Sequence, residues 1–306
     1  MGRYITRRAG YSLLSLFLLS LTIFFFIRVT GDPAALLVEP GASEADIAAI
    51  HHQFGLDRPL WVQYGLFMAT VLHGDFGQSF YYQTPVLDLY FDRLPNSLIL
   101  ASVAMAFSLI VGIPTGILAA VRVGRFCDSA GKLFALLGLS LPSFFVGLLL
   151  ILLFSVYLGW LPSSGSGTPL HVIMPAFALG WYFAASHMRL TRSSMLEVLG
   201  SEYIKLARLK GLPQSLVIDK HAFKNALIPV LTLAGINLVL MINVAVVVET
   251  VFAWPGIGRL LYEGISFRDF PVVQGIVIMG GTMIVMVNLF VDIVYAVIDP
   301  RIRLER

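Results

Sequence analysis

Long stretches without charge dominate the pattern of hydrophobic and polar residues along this 306-residue chain. A single helical crossing of a membrane needs about 20 apolar residues, and four of the stretches are each long enough for one. They lie between Arg8 and Arg28, between Arg93 and Arg122, between Lys224 and Glu249, and between Asp269 and Asp292. This pattern predicts a chain made of transmembrane helices.

A fifth uncharged stretch, from Lys132 to Arg189, is long enough for two crossings. The turn-forming segment SSGSGTP at 163–169 interrupts it and separates the two. The sequence therefore predicts an all-α integral membrane protein with six transmembrane helices. We expect these helices near residues 9–29, 95–121, 133–158, 172–189, 227–250 and 273–298.

The composition and the distribution of charge support this interpretation. Hydrophobic residues make up 58% of the chain and charged residues 13%, which is too apolar for a soluble domain of this length. If the amino terminus is cytoplasmic, 16 of the 21 Lys and Arg residues lie on the cytoplasmic side, as the positive-inside rule requires. Six spans then place both termini in the cytoplasm. The net charge of +3 follows from this topology and calls for no nucleic-acid partner.

The acidic loop after the first span is predicted to have structure of its own. Its helix-start and helix-stop residues indicate one helix from Ser43 to Gly55 and another from Pro59 to just before Gly74. We therefore expect residues 1–94 to comprise the first transmembrane helix and a structured extracytoplasmic loop.

The remaining residues, 95–306, are expected to form a five-helix core with a cytoplasmic loop at 190–226. Beyond the fifth span of the chain, a Trp-Pro-Gly turn precedes apolar residues at helical spacing from Ile257 to Ile265. This pattern predicts a short re-entrant or interfacial helix on the outer side.

The sequence contains no motif for catalysis or for a cofactor. A P-loop requires Gly-Lys followed by Ser or Thr, and none of the five lysines has that context. The six histidines form no metal-ligand spacing, and no GxSxG motif occurs. We therefore expect no catalytic residue, metal or cofactor in this chain, and a membrane enzyme is unsupported. Cys127 is the single cysteine, so an intrachain disulfide is excluded.

Two ionisable residues within the predicted spans are candidates for function, because a charge in the bilayer costs on the order of 3 kcal/mol. Glu249 is either an outer gate or cavity wall, or a structural partner for Arg259 or a neighbouring subunit. We group Glu249 with Asn243 and Trp254 as candidates for the outer gate or the translocation path. For Asp292 a structural pairing is favoured. Because both carboxylates lie near span ends, a proton relay is disfavoured.

The cytoplasmic loop contains the segment EYIKLARLKGL at 202–212, which predicts a short amphipathic helix. Its first turn carries an acidic residue, which suits the positive end of a helix, and Gly211 and Pro213 end it. Helical spacing places Tyr203, Leu206, Ala207 and Lys210 on one face. Such a helix lies either on anionic lipid headgroups or in a groove of a partner protein, and the residue pattern leaves both open.

Residues 189–232, RLTRSSMLEVLGSEYIKLARLKGLPQSLVIDKHAFKNALIPVLT, resemble the cytoplasmic signature loop of binding-protein-dependent ABC importer permeases of the peptide/nickel branch. Ala207 and Gly211 fit the general motif of these permeases, Lys205 stands where that motif has glutamate, and the distance onward to Pro229 is longer. Further matches are GDP at 31–33, FGLDRPLWVQYG at 54–65, HGDFGQSF at 73–80, FAWPGIGRLL at 252–261, RDFPVVQG at 268–275 and NLFVDIVYAVIDPRIR at 288–303.

The resemblance implies a type I ABC importer permease in a bacterial cytoplasmic (inner) membrane. It implies four kinds of partner: the lipid bilayer, a second homologous permease, two ATP-binding subunits that hold ATP and Mg, and an extracytoplasmic substrate-binding protein. It also implies that the short helix couples the chain to an ATPase subunit. The residues expected to carry this coupling are Glu202, Tyr203, Leu206, Ala207, Arg208, Lys210 and Gly211.

Several substrates fit this branch. Short peptides, glutathione among them, are the first expectation, and nickel or another metal chelate is the alternative. A self-sufficient secondary transporter remains a second class of function, and it should transport without ATPase subunits.

Overall fold

The computed structural model describes residues 2–30, 52 and 57–298. The described elements are all helical, which confirms the all-α class. They are α1 Gly2–Thr30, α2 Leu60–Leu72, α3 Val86–Val121, α4 Phe126–Ser140, α5 Ser143–Tyr157, α6 Leu170–Leu199, α7 Glu202–Leu209, α8 Gln214–Val251, α9 Ile257–Ser266 and α10 Phe270–Ile298.

Helices occupy all six intervals in which spans were predicted, but they differ in character. Within the described residues, α1, α3, α8 and α10 are each long and apolar enough to cross a membrane. Helix α6 covers the fourth interval over 30 residues, but its hydropathy is lower because polar and amphipathic side chains such as His171, Trp181 and His187 lie within it. By length and composition, then, four helices qualify as spans, or five if the bent pair α4 and α5 counts as one.

The predicted third span is bent. Helices α4 and α5 meet at an angle of 104°. The break has a local cause, because Pro142 donates no backbone hydrogen bond and disfavours the helical conformation of Leu141, which is extended with φ −89° and ψ 123°. The span predicted over 133–158 therefore consists of two helices that meet at this proline.

In the outer loop, α2 confirms the helix predicted from Pro59, which lies at its amino-terminal cap. The helix predicted at 43–55 lies outside the described residues. Helix α2 packs on α1 through the ring of Tyr64, which meets Phe24 edge to face and whose hydroxyl lies 2.8 Å from Ser20 Oγ. Arg28 Nε also donates to Gln63 Oε1 at 2.9 Å.

The chain forms two compact units. One contains residues Asn96–Arg259, and the other contains the described residues up to Pro95 together with those from Leu260 onward. In the second unit α1 packs along α10. The division of the chain at residue 94 that the sequence suggested remains a prediction.

Helix α6 forms the centre of the first unit, where it packs against α4 and α8. Helix α3 approaches α6 closely because it presents glycine at two points. A Cβ atom at Gly112 would lie 2.6 Å from the Ala184 carbonyl oxygen, and one at Gly116 would lie 2.7 Å from the Met188 carbonyl oxygen. Small residues of this kind let membrane helices pack backbone to backbone.

A buried carboxylate connects the start of α4 to the end of α6. Asp128 is fully buried, and its two carboxylate oxygens accept hydrogen bonds from Arg192 Nε at 2.8 Å and Lys132 Nζ at 2.9 Å. The backbone N–H of Gly124 donates to it at 3.0 Å. Every oxygen therefore has a partner, as burial of a charge requires.

We expect Gly116→Val to lower the stability of the protein by about 1–3 kcal/mol, because the added side chain overlaps the backbone of α6. Thermal unfolding of the purified protein would measure the loss. Gly10→Val is the matched control, since Gly10 is helical and its Cβ position has no neighbour within 4 Å. Equal melting temperatures for the two variants would contradict the close packing of α3 on α6.

Candidate functional site

The segment expected to couple to an ATPase forms helix α7, which confirms the helix predicted there. Glu202 lies in its first turn and pairs with Lys205 at 2.7 Å, both side chains being exposed. Gly211 follows with φ +76°, a left-handed conformation that ends the helix and that glycine adopts without strain. Its N–H donates to the Arg208 carbonyl oxygen at 2.9 Å.

One face of α7 packs against its own chain. Ile204 is fully buried and Ala207 is almost so. They join a cluster with Met195 of α6 and with Val217 and Ala222 in the first turns of α8. Helix α7 is therefore fastened to two long helices of the first unit.

This packing corrects the predicted face of α7. Ala207 was grouped with Tyr203, Leu206 and Lys210, but its side chain points into the chain's own core while those three are exposed. Ile204 was missed, although its spacing of three residues from Ala207 was a signal that the two share a face.

The exposed part of α7 bears an apolar patch with a basic rim. Tyr203, Leu206 and Leu209 expose 44%, 53% and 85% of their surface. Lys205, Arg208 and Lys210 are exposed around them. Leu209 was not predicted, since an exposed leucine at the end of a helix has no sequence signature. Asn225 of α8 donates to the Tyr203 hydroxyl at 3.1 Å.

Glu249, the first candidate for an outer gate, is 1% exposed and fully bonded. Its Oε1 accepts a hydrogen bond from Ser97 Oγ at 2.6 Å, and its Oε2 accepts the backbone N–H of Arg259 at 3.0 Å. The carboxylate thus caps the amino terminus of α9, where backbone N–H groups and the helix dipole favour a negative charge. This geometry supports the structural alternative, with the Arg259 backbone as partner.

The other two outer candidates have different surroundings. Trp254 is buried and its Nε1 donates to the Asn96 carbonyl oxygen at 3.0 Å, while Asn96 Nδ2 donates to the Pro255 carbonyl oxygen at 2.9 Å. Asn243 lies on the exposed face of α8, and its Nδ2 donates to the Val239 carbonyl oxygen of the preceding turn. Asn243 therefore has no part in the bonded network around Trp254. Asp292 lies where the structure describes no side chains.

Ser97 was missed by sequence reasoning, yet it joins two helices. Besides donating to Glu249, its hydroxyl accepts the N–H of Ile257 at 2.8 Å. A single serine at the start of a long apolar run carries no signal of such a role.

In the second unit, an equivalent network holds the outer loop that precedes α3. Asp269 is buried, and its Oδ2 accepts Ser79 Oγ at 2.5 Å and the Tyr81 N–H at 3.0 Å. Tyr82 donates its hydroxyl to Glu263 at 2.7 Å. Burial first, and this hydrogen bond second, raise the pKa of Tyr82 to about 12, so the phenol stays protonated as a donor at neutral pH.

Ser97→Ala should destabilise the first unit by about 1–3 kcal/mol, because it leaves both a Glu249 oxygen and the Ile257 N–H without a buried partner. The expected result is a lower melting temperature together with faster proteolysis in the turn at 252–256. Ser129→Ala, at an exposed serine, is the control. If the two variants unfold alike, Ser97 does not hold α9.

Comparison with known proteins shows the family of the chain. The family described as binding-protein-dependent transport system inner membrane component matches residues 112–304, and its amino-terminal companion family matches residues 1–101. The glutathione transport system permease protein GsiC of Escherichia coli is 38% identical over 304 residues, which is 99% of each chain. Its counterpart from Salmonella choleraesuis is 39% identical over the same share.

Solved structures show the same fold at lower identity. An inward-facing structure of the MetNI methionine ABC transporter aligns with a TM-score of 0.56 and 19% identity, covering 69% of this chain and 96% of that one. An amino acid ABC transporter with histidines aligns with a TM-score of 0.55 and 15% identity, covering 67% and 92%. The type I permease fold is thus confirmed. The chain belongs to the binding-protein-dependent transport system inner membrane components and is a multi-pass inner-membrane permease of an ABC importer.

Proposed function

We propose that this chain is the non-catalytic permease subunit of an ATP-driven importer of short peptides, with glutathione as the first candidate substrate. The observation that carries the substrate class is the 38% identity to glutathione permeases over 99% of both chains. An alignment at this identity over nearly the full length of both chains favours a shared transport task over a shared fold alone.

The energy for transport comes from partner subunits in this proposal. No lysine of the chain has the context of a P-loop, so ATP and Mg would be held by two ATP-binding subunits. A second homologous permease would complete the translocation path. An extracytoplasmic binding protein would select and deliver the substrate.

Helix α7 supplies the mechanical connection. Its exposed patch of Tyr203, Leu206 and Leu209 suits a groove on an ATPase, in which an amphipathic helix buries its apolar face. Its inner residues, Ile204 and Ala207, are packed against α6 and α8. A displacement of α7 by the ATPase therefore reaches both of these long helices at once.

The other coupling residues have supporting roles. Glu202 and Lys205 stabilise the first turn of α7, and Gly211 ends it. Arg208 and Lys210 contribute the basic rim that would meet acidic residues of the ATPase. Asn243, an exposed polar residue of α8, remains our candidate for the translocation path.

Reconstitution of the complete importer in liposomes tests the function. ATP-dependent uptake of glutathione or a short peptide should appear only when both ATPase subunits and the binding protein are present. Uptake by the permeases alone would instead establish a secondary transporter. A thermal-shift screen of the cognate binding protein against dipeptides, tripeptides, glutathione and Ni(II) chelates would identify the substrate.

Leu206→Asp should lower ATP-dependent transport at least about tenfold, because it places a charge in the centre of the apolar docking patch. Co-purification of the ATPase should fall in parallel, while the melting temperature of the permease stays unchanged. Phe126→Asp is the control, since Phe126 is an exposed apolar residue of a different predicted cytoplasmic segment. Normal transport by Leu206→Asp would contradict the proposal that α7 is the docking surface.

Gly211→Ala should uncouple ATP hydrolysis from transport, because alanine at φ +76° costs about 1 kcal/mol and shifts the end of α7. The ratio of substrate transported to ATP hydrolysed is the measurement. Gly200→Ala is the matched control, because Gly200 has φ −82° and room for a Cβ atom. Unchanged ratios in both variants would mean that the end of α7 needs no glycine.

A further inference from the structure

A groove of about 440 Å³ runs between α4 and α6, away from the coupling segment. These two helices are antiparallel, since Asp128 meets Arg192 at one end of the contact and Gly138 meets Ala185 further along. One end of the groove is polar and basic, and the rest is aliphatic. The basic end is lined by Lys132, Arg189, Arg192 and Ser193, and the aliphatic part is lined by residues that include Leu136 and Leu139.

The sequence places the basic end at the inner boundary of the membrane. Lys132 and Arg189 are the residues that bound the longest uncharged stretch of the chain, and both belong to the cytoplasmic side. Leu136 and Leu139 lie one and two helical turns further along α4, toward the hydrocarbon. Leu136 is 62% exposed, so the groove is open along this side.

The basic end carries more positive than negative charge. Three cations line it, and the carboxylate facing them within the described residues is Asp128, which is engaged by Lys132 and Arg192. These two bonds hold both cations in place before any ligand arrives. The side chain of Arg189 is exposed and makes no hydrogen bond or ion pair within the described part of the chain.

We propose that this groove binds an anionic phospholipid of the inner leaflet. The headgroup phosphate would lie among Lys132, Arg189 and Arg192, with the Ser193 hydroxyl as a further donor, because guanidinium groups bind phosphate oxygens with geometric specificity. An acyl chain would cover Leu136 and Leu139. Basic pockets between transmembrane helices on the cytoplasmic side bind lipid headgroups in this way.

The shape of the groove favours a lipid over free phosphate. A free anion would fill only the basic end and leave the aliphatic part open. A phospholipid of the inner leaflet would place its headgroup at the basic end and its acyl chain along the aliphatic part. A phospholipid so placed would also bridge the two helices that Asp128 joins.

Native mass spectrometry of the purified importer, titrated with phosphatidylglycerol, tests the proposal. Arg189→Gln should raise the dissociation constant about fivefold, the loss expected for one cation near a membrane anion. Arg122→Gln, which removes a cytoplasmic cation outside the groove, should leave it unchanged. Leu136→Trp should also weaken binding by filling the groove, whereas Leu133→Trp, at an equally exposed leucine of α4, should not. Thermal unfolding of each variant confirms that the fold is retained.

Several results would overturn the lipid site. Equal weakening by Arg189→Gln and Arg122→Gln would indicate only a diffuse surface potential, and equal binding of phosphatidylcholine would remove the role of charge. Displacement of the lipid by inorganic phosphate would make the groove a free-anion site. Absence of bound phosphatidylglycerol on the assembled importer would mean that another subunit covers the groove. None of these outcomes depends on which substrate the importer carries.

Discussion

Hydrocarbon offers a protein backbone no hydrogen bonds, and the structure of this permease depends on that constraint. Long helices satisfy it along the spans. Where the chain turns at the end of α8, side chains supply the missing hydrogen bonds. Asn96 donates to the Pro255 carbonyl oxygen, and the Ser97 hydroxyl accepts the Ile257 N–H. Glu249 then accepts the N–H of Arg259 in the first turn of α9. The buried polar residues of this region are thus substitutes for missing backbone partners.

The same side-chain logic appears at Asp128 and Asp269, two buried carboxylates in different units. Each accepts at least one hydrogen bond from an element distant in sequence, Asp128 from Arg192 and Asp269 from Ser79 and Tyr81. Both connect a loop to a second element of the same unit, the loop before α4 to α6 through Asp128 and the loop before α10 to residues 79–81 through Asp269. Removing one partner of such a group leaves a charge that neither water nor protein satisfies.

How far sequence predicts this molecule depends on the range of the interactions involved. Uncharged length located the six helical intervals predicted as spans, and local cap residues located α2 and α7, because these signals act within a few turns. The sequence shows a proline at position 142, but it does not predict the size of the bend there. Ser97, and the inward face formed by Ile204 and Ala207, were missed or misplaced because their partners lie on other helices.

Helix α7 has one side that packs against its own chain and another that is exposed. Ile204 and Ala207 must fit α6 and α8 of the same chain, so their shape is fixed by the permease itself. Tyr203, Leu206 and Leu209 are exposed, although the Tyr203 hydroxyl is bonded to Asn225, and in the proposed function they fit the surface of a partner. If α7 docks on an ATPase as proposed, substitutions on its exposed face change the partner that a related importer recruits, and they leave the packing of Ile204 and Ala207 against α6 and α8 intact.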